Sequence, residues 1–146
     1  MKLNNFLDNS PIFAILNSYR QLSSFQRYLT STYGLNFYQS LIVSGLYFEE
    51  KETVSPQNLV DTLRTTKGTV SQCLTTLQEK KMLTIKVKKD DKRKQVLGLT
   101  KKGEDIAVKI IAFFDRNQSS LEEELGEDEI SHFMSLLKVI TNKNNF

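Results

Sequence analysis

The sequence holds one cysteine, Cys73, and one histidine, His132. A lone cysteine closes no intrachain disulfide, and its isolation suits a reducing compartment, the cytoplasm. Zinc sites draw about four ligands, mostly Cys and His, so zinc chemistry is all but excluded. No apolar run reaches the length of a membrane span. Residues 1–9 lack the basic start, apolar stretch and small-residue cleavage site of a secretory leader. There is no phosphate-cradling glycine loop, no nucleophile set beside a base and no carboxylate pair near an expected cleft. Glu122-Glu123-Glu124 reads as a solvated acidic run. Neither an enzyme nor a bound cofactor or metal is expected. Internal repeats and low-complexity linkers are also missing.

What is present is globular. The chain has 146 residues, 39% hydrophobic and 25% charged, enough to bury a core without covalent staples. The net charge of +3 is mild, but its distribution is uneven. Residues 79–102 carry ten Lys or Arg against three acids, whereas residues 104–129 carry nine acids against two bases. A basic band of this kind suits a polyanion, or else a solvated charge run balanced across one fold.

Apolar periodicity and caps divide the chain. Ser10-Pro11 opens a long amphipathic helix carrying Ile12, Ile15, Leu16, Tyr19, Leu22 and Leu29, and Gly34 stands where it should end. Asn36 caps a second helix with Leu41, Ile42, Val43 and Leu46. Thr53-Val54 is a short extended piece. Ser55-Pro56 starts a short helix with Leu59, Val60 and Leu63. Thr66 caps a fourth helix whose apolar face is Val70, Cys73, Leu74 and Leu77. The period then changes to two. Leu83, Ile85 and Val87 alternate with Thr84 and Lys86, predicting a strand with one buried face. Residues 89–94 form a charged hairpin tip before a second strand over 96–99. Thr100 caps another long helix with Ile106, Ala107, Ile110, Phe113 and Phe114. A polar, acidic stretch over 117–126 precedes a last helix with Ile130, Phe133, Leu137 and Ile140. The expected class is mainly α with a small β-hairpin (α+β), a single domain over residues 1–146.

Two short helices joined by a tight turn and followed by a basic hairpin make a winged helix-turn-helix, here over residues 53–100. The second short helix suits a major groove, which admits one α-helix. Its polar face offers Lys67, Thr69, Ser71, Gln72 and Thr75, with no acid until Glu79, where an ordinary solvated face would mix Glu with Lys. Gln72 suits bidentate contact with adenine. At the hairpin tip, Lys89, Lys92, Arg93 and Lys94 suit phosphates and a narrow minor groove. Asp91 would hold the Arg93 guanidinium in one orientation. The plainer reading is a turn with a surface ion pair worth about 0–1 kcal/mol. Cys73, on the apolar face, reads as a small buried hydrophobe before a redox sensor.

These residues resemble the multiple-antibiotic-resistance regulator (MarR) family of winged-helix proteins. The matching features are Leu59-Val60, Thr69-Val70, Leu77, Asp91-Lys92-Arg93 in the wing and Leu99-Thr100-Lys101-Lys102-Gly103 after it. Arg64 and Lys81 depart from the pattern, standing where the family often has turn glycines, and Ile85 stands where a basic residue is common. The resemblance implies a homodimer that reads a palindromic operator in double-stranded DNA as a repressor or activator. Helices over 10–34 and 101–142 would form the dimer, with Phe113, Phe114, Ile130, Phe133, Leu137 and Ile140 supplying apolar surface. It also implies a small-molecule effector pocket. Tyr19, Arg20, Tyr28, Tyr38 and Tyr47 are candidates for its walls, although a core or interface aromatic is the commoner role for each. The competing readings are a winged-helix module that binds an acidic protein and, far behind, an enzyme. No membrane association is expected.

Overall fold

The computed structural model describes residues 2–87 and 95–143. Among them are seven helices and one hairpin: α1 (Lys2–Asp8), α2 (Pro11–Tyr33), α3 (Phe37–Phe48), α4 (Pro56–Leu63), α5 (Lys67–Glu79), β1 (Leu83–Val87), β2 (Gln95–Leu99), α6 (Lys101–Leu125) and α7 (Glu127–Lys143). The chain divides into two compact units, Met1–Val108 and Lys109–Phe146, with the boundary inside α6. No described helix is long and apolar enough to cross a membrane.

The caps act where the sequence places them. Asn36 accepts from the Gln39 amide at 2.9 Å while the Gln39 side chain accepts from the Asn36 amide at 3.0 Å, a reciprocal capping box. Ser55 and Asn58 repeat the device at the start of α4, with Pro56 just inside the helix. Thr66 accepts from the Thr69 amide at 3.1 Å and starts α5. Gly34 ends α2 in the left-handed conformation, φ 65°, its amide donating to the Thr30 carbonyl at 2.9 Å. Ser10 occupies the N-cap position of α2 without a side-chain hydrogen bond.

The core of the first unit collects the expected faces. Val70, Cys73, Leu74 and Leu77 of α5 are all buried, as are Ile42, Val43 and Leu46 of α3, the helix that α5 packs against. Leu29, Leu35, Leu59, Met82, Leu83, Val96, Leu97 and Ala107 complete it. The hairpin is antiparallel, pairing Leu83 with Leu99, Ile85 with Leu97 and Val87 with Gln95. Its outer edge takes one further bond, from the Leu97 amide to the Val54 carbonyl at 2.9 Å, so the extended Thr53-Val54 piece lies beside β2.

Four details differ from the sequence reading. Residues 2–8 form a helix too short to announce itself through its period. Strand β1 loses burial along its length: Leu83 is buried, Ile85 half-buried and Val87 52% exposed, because its outer end has no core to cover it. The second strand starts one residue earlier, at Gln95. The stretch 117–125 continues α6, which ends only at Gly126, φ 84°; Gly126 also accepts from the Ile130 amide at 3.2 Å and so begins α7.

Candidate nucleic-acid interface

The turn between α4 and α5 depends on Arg64. It takes the left-handed conformation, φ 48° and ψ 48°, and its amide donates to the Val60 carbonyl. Lys81, after α5, does the same at φ 57°. Both residues therefore adopt the positive φ that glycine takes freely.

The turn lays α5 across α4 and opens a groove of about 790 Å³ bounded by α4, α5 and the hairpin. Its apolar floor includes Val60, Val70, Leu74, Ile85 and Val96. Its polar rim includes Lys67, Ser71 and Thr75, three residues spaced four apart on one stripe of α5. Gln72 is exposed on the neighbouring stripe. Thr69 is half-buried, its hydroxyl 3.0 Å from that of Thr66, so part of its capacity serves the cap. Thr75 donates to the Ser71 carbonyl at 3.0 Å, which leaves its lone pairs to accept. Of the five α5 residues read from the sequence, the groove thus gathers three; Gln72 and Thr69 are not among the residues that line it. Lys89, Asp91, Lys92, Arg93 and Lys94 lie outside the described residues.

Thr53, Ser55, Gln57, Asn58 and Gln95 line the same groove and were not singled out in the sequence. The Ser55-Pro56 signal was visible, but it reads as a helix start. Nothing in a cap motif announces that its polar side chains also form the rim of a groove.

Cys73 is buried, and burial pushes its thiol above the ordinary range, partly offset by a hydrogen bond with the Asn36 side chain. The tyrosines are scattered. Tyr19, Tyr28, Tyr38 and Tyr47 are all exposed, Tyr19 by 67%. Arg20, hydrogen-bonded to Asn17 at 3.2 Å, lines an open groove with Leu7, Phe13 and Leu16, while Tyr47 lines a separate small cavity with Glu50, Leu97 and Glu104.

Residues 35–103 match the family described as winged helix DNA-binding domain. Among solved structures, MarR from Oenococcus oeni PSU-1 is 25% identical, covering 88% of this chain and 96% of its own, with a TM-score of 0.73. A MarR/EmrR family transcriptional regulator from Acinetobacter sp. ADP1 is also 25% identical, covering 89% and 90%, with a TM-score of 0.73. MepR of S. aureus, solved as a DNA complex, shares the fold at 19% identity, 92% and 98% coverage and a TM-score of 0.81. No curated protein matches the chain. The motifs, the order of elements and these likenesses agree: residues 35–103 form a winged helix DNA-binding domain, in a chain whose fold is similar to that of MarR-family transcription regulators.

Proposed function

We propose that the protein acts as a homodimer that reads a palindromic operator, with α5 in the major groove and the wing in the adjacent minor groove. The observation that carries this reading is the outer face of α5, which holds no acid before its last residue, Glu79, and is set on the rim of an open groove between helix and hairpin. Lys67 and Ser71 would meet phosphates, and Gln72 and Thr75 would meet base edges. In the wing, Arg93 would enter the minor groove, Asp91 would orient it, and Lys89, Lys92 and Lys94 would flank it on phosphates.

Apolar surface supports the dimer. On α2, Ile12, Phe13, Leu16 and Leu22 are exposed. In the second unit, Leu121, Leu125, Phe133, Met134 and Val139 are exposed. Exposed apolar clusters on this scale mark contact surfaces. Taking up a small-molecule effector along α2 and α3, where Tyr19, Arg20, Tyr28, Tyr38 and Tyr47 lie, belongs to the same proposal, as does a cytoplasmic setting.

Equilibrium binding by the intact protein tests the reading, comparing an operator duplex with a scrambled duplex of equal length over a salt series. The operator should bind far more tightly, losing about 10³-fold in affinity between 50 and 200 mM salt if six or more phosphates are contacted. Weak binding that ignores sequence would instead favour a module for an acidic protein partner.

A further inference from the structure

The loop between α3 and α4 holds an unusual residue. Glu52 is not glycine, yet it has φ 62°. A left-handed conformation at such a residue costs roughly 1–2 kcal/mol and persists only where neighbours enforce it. Here they do. The Lys86 ammonium donates to the Glu52 carboxylate. Lys51 reaches Glu104 at 3.5 Å. The Thr53 hydroxyl and amide both donate to the Glu50 carbonyl, at 2.7 and 3.3 Å. The Val54 carbonyl accepts from the Leu97 amide.

The geometry of the pair is informative. Lys86 lies on β1 and pairs with Val96 of β2. The loop lies along the other edge of β2, through the Val54–Leu97 bond. The Glu52–Lys86 pair therefore spans β2 and ties both of its neighbours together. The same loop continues into Thr53 and Ser55 on the rim of the groove.

We infer that Glu52 is a positioning residue for the wing, bracing β1 across β2 to the loop that forms the groove's rim and so fixing the angle between hairpin and α5. The inference rests on the DNA-reading role proposed above. An exposed ion pair adds little to stability; its effect here is on orientation.

The test uses the full-length protein, Glu52→Ala and the double reversal Glu52→Lys/Lys86→Glu. In the DNA-free protein, Glu52→Ala should speed hydrogen exchange at the Leu97 amide by about threefold to fivefold, the scale of one exposed pair. Operator affinity should fall by about the same factor with its salt dependence unchanged. The double reversal should bring both back to within about twofold of the parent. Tighter binding with a steeper salt dependence would mean that Glu52 only repels DNA, and would overturn the inference. Unchanged Leu97 exchange would overturn it too, as would faster exchange with unaltered affinity. Failure of the parent protein to bind any operator would overturn the DNA-reading proposal instead, and Leu97 exchange would still report whether the brace exists.

Discussion

Gly103 sits directly against the backbone of Met82: a Cβ on Gly103 would stand 2.0 Å from the Met82 carbonyl oxygen and 3.0 Å from its carbon. That carbonyl has no freedom to withdraw, because it accepts from the Thr100 amide at 3.1 Å. The close approach locks the start of α6 onto the chain leaving α5. It explains why a glycine follows Leu99-Thr100 at this spacing.

Gly103→Ala should therefore destabilise the protein by about 2–3 kcal/mol, the scale of a forced backbone shift in a packed site. Denaturant midpoints compared at one protomer concentration would measure it. A change under about 0.5 kcal/mol would show that the contact relaxes freely.

Thr100 does two jobs at the same junction. Its hydroxyl donates to the Lys81 carbonyl at 2.8 Å and accepts from the Gly103 amide at 3.1 Å. Thr100→Val keeps the shape and removes both bonds, for an expected loss of about 1–2 kcal/mol. Thermal unfolding against the parent protein checks it.

Lys81→Gly should be stabilising. Relief of the left-handed backbone at φ 57° is worth roughly 1–2 kcal/mol, and the added freedom of the unfolded chain takes back about 0.4–1 kcal/mol. The net expectation is a gain of about 0.5 kcal/mol, read as a higher denaturant midpoint. A loss would mean that the Lys81 side chain makes contacts worth more than the strain.

Burial favours the neutral thiol of Cys73. An acid whose folded pKa is raised contributes full stability below its unfolded pKa, and that stability declines as pH rises above about 8.5. Two outcomes follow. A thiol reagent at neutral pH should label the protein only as it unfolds, and Cys73→Ala should remove part of the alkaline loss of stability. Rapid labelling of the native protein would revive the redox-sensor reading.

Lys86 holds the Glu52 carboxyl below its usual range. A depressed carboxyl contributes above the unfolded value, about 4.3, and fails only as pH falls through its lower folded value. Leu97 protection, corrected for intrinsic exchange, should thus be level across neutral pH and drop only in acid.

The legible parts of the fold were those written in local chemistry. Asn36, Ser55 and Thr66 announce helix starts through side chains that bond their own backbone, and the Val70, Cys73, Leu74 and Leu77 stripe announces a buried face through its period. Neither depends on distant residues. The positive φ of Glu52 was not legible, because packing and pairing impose it against local preference, whereas at Arg64 and Lys81 the turn glycines common in the resembling family pointed to it. The same holds for the groove rim. Lys67, Ser71 and Thr75 share a helix face that spacing reveals, whereas Thr53, Asn58 and Gln95 join them only through the fold.

Sequence-specific DNA reading by a dimer is decided by selecting duplexes from a random pool with the intact protein. A dimeric reader should enrich an inverted repeat whose half-sites are centred one helical turn apart, about 34–36 Å. Recovery of sequences with no shared motif, at an affinity equal to that for unselected DNA, would contradict it.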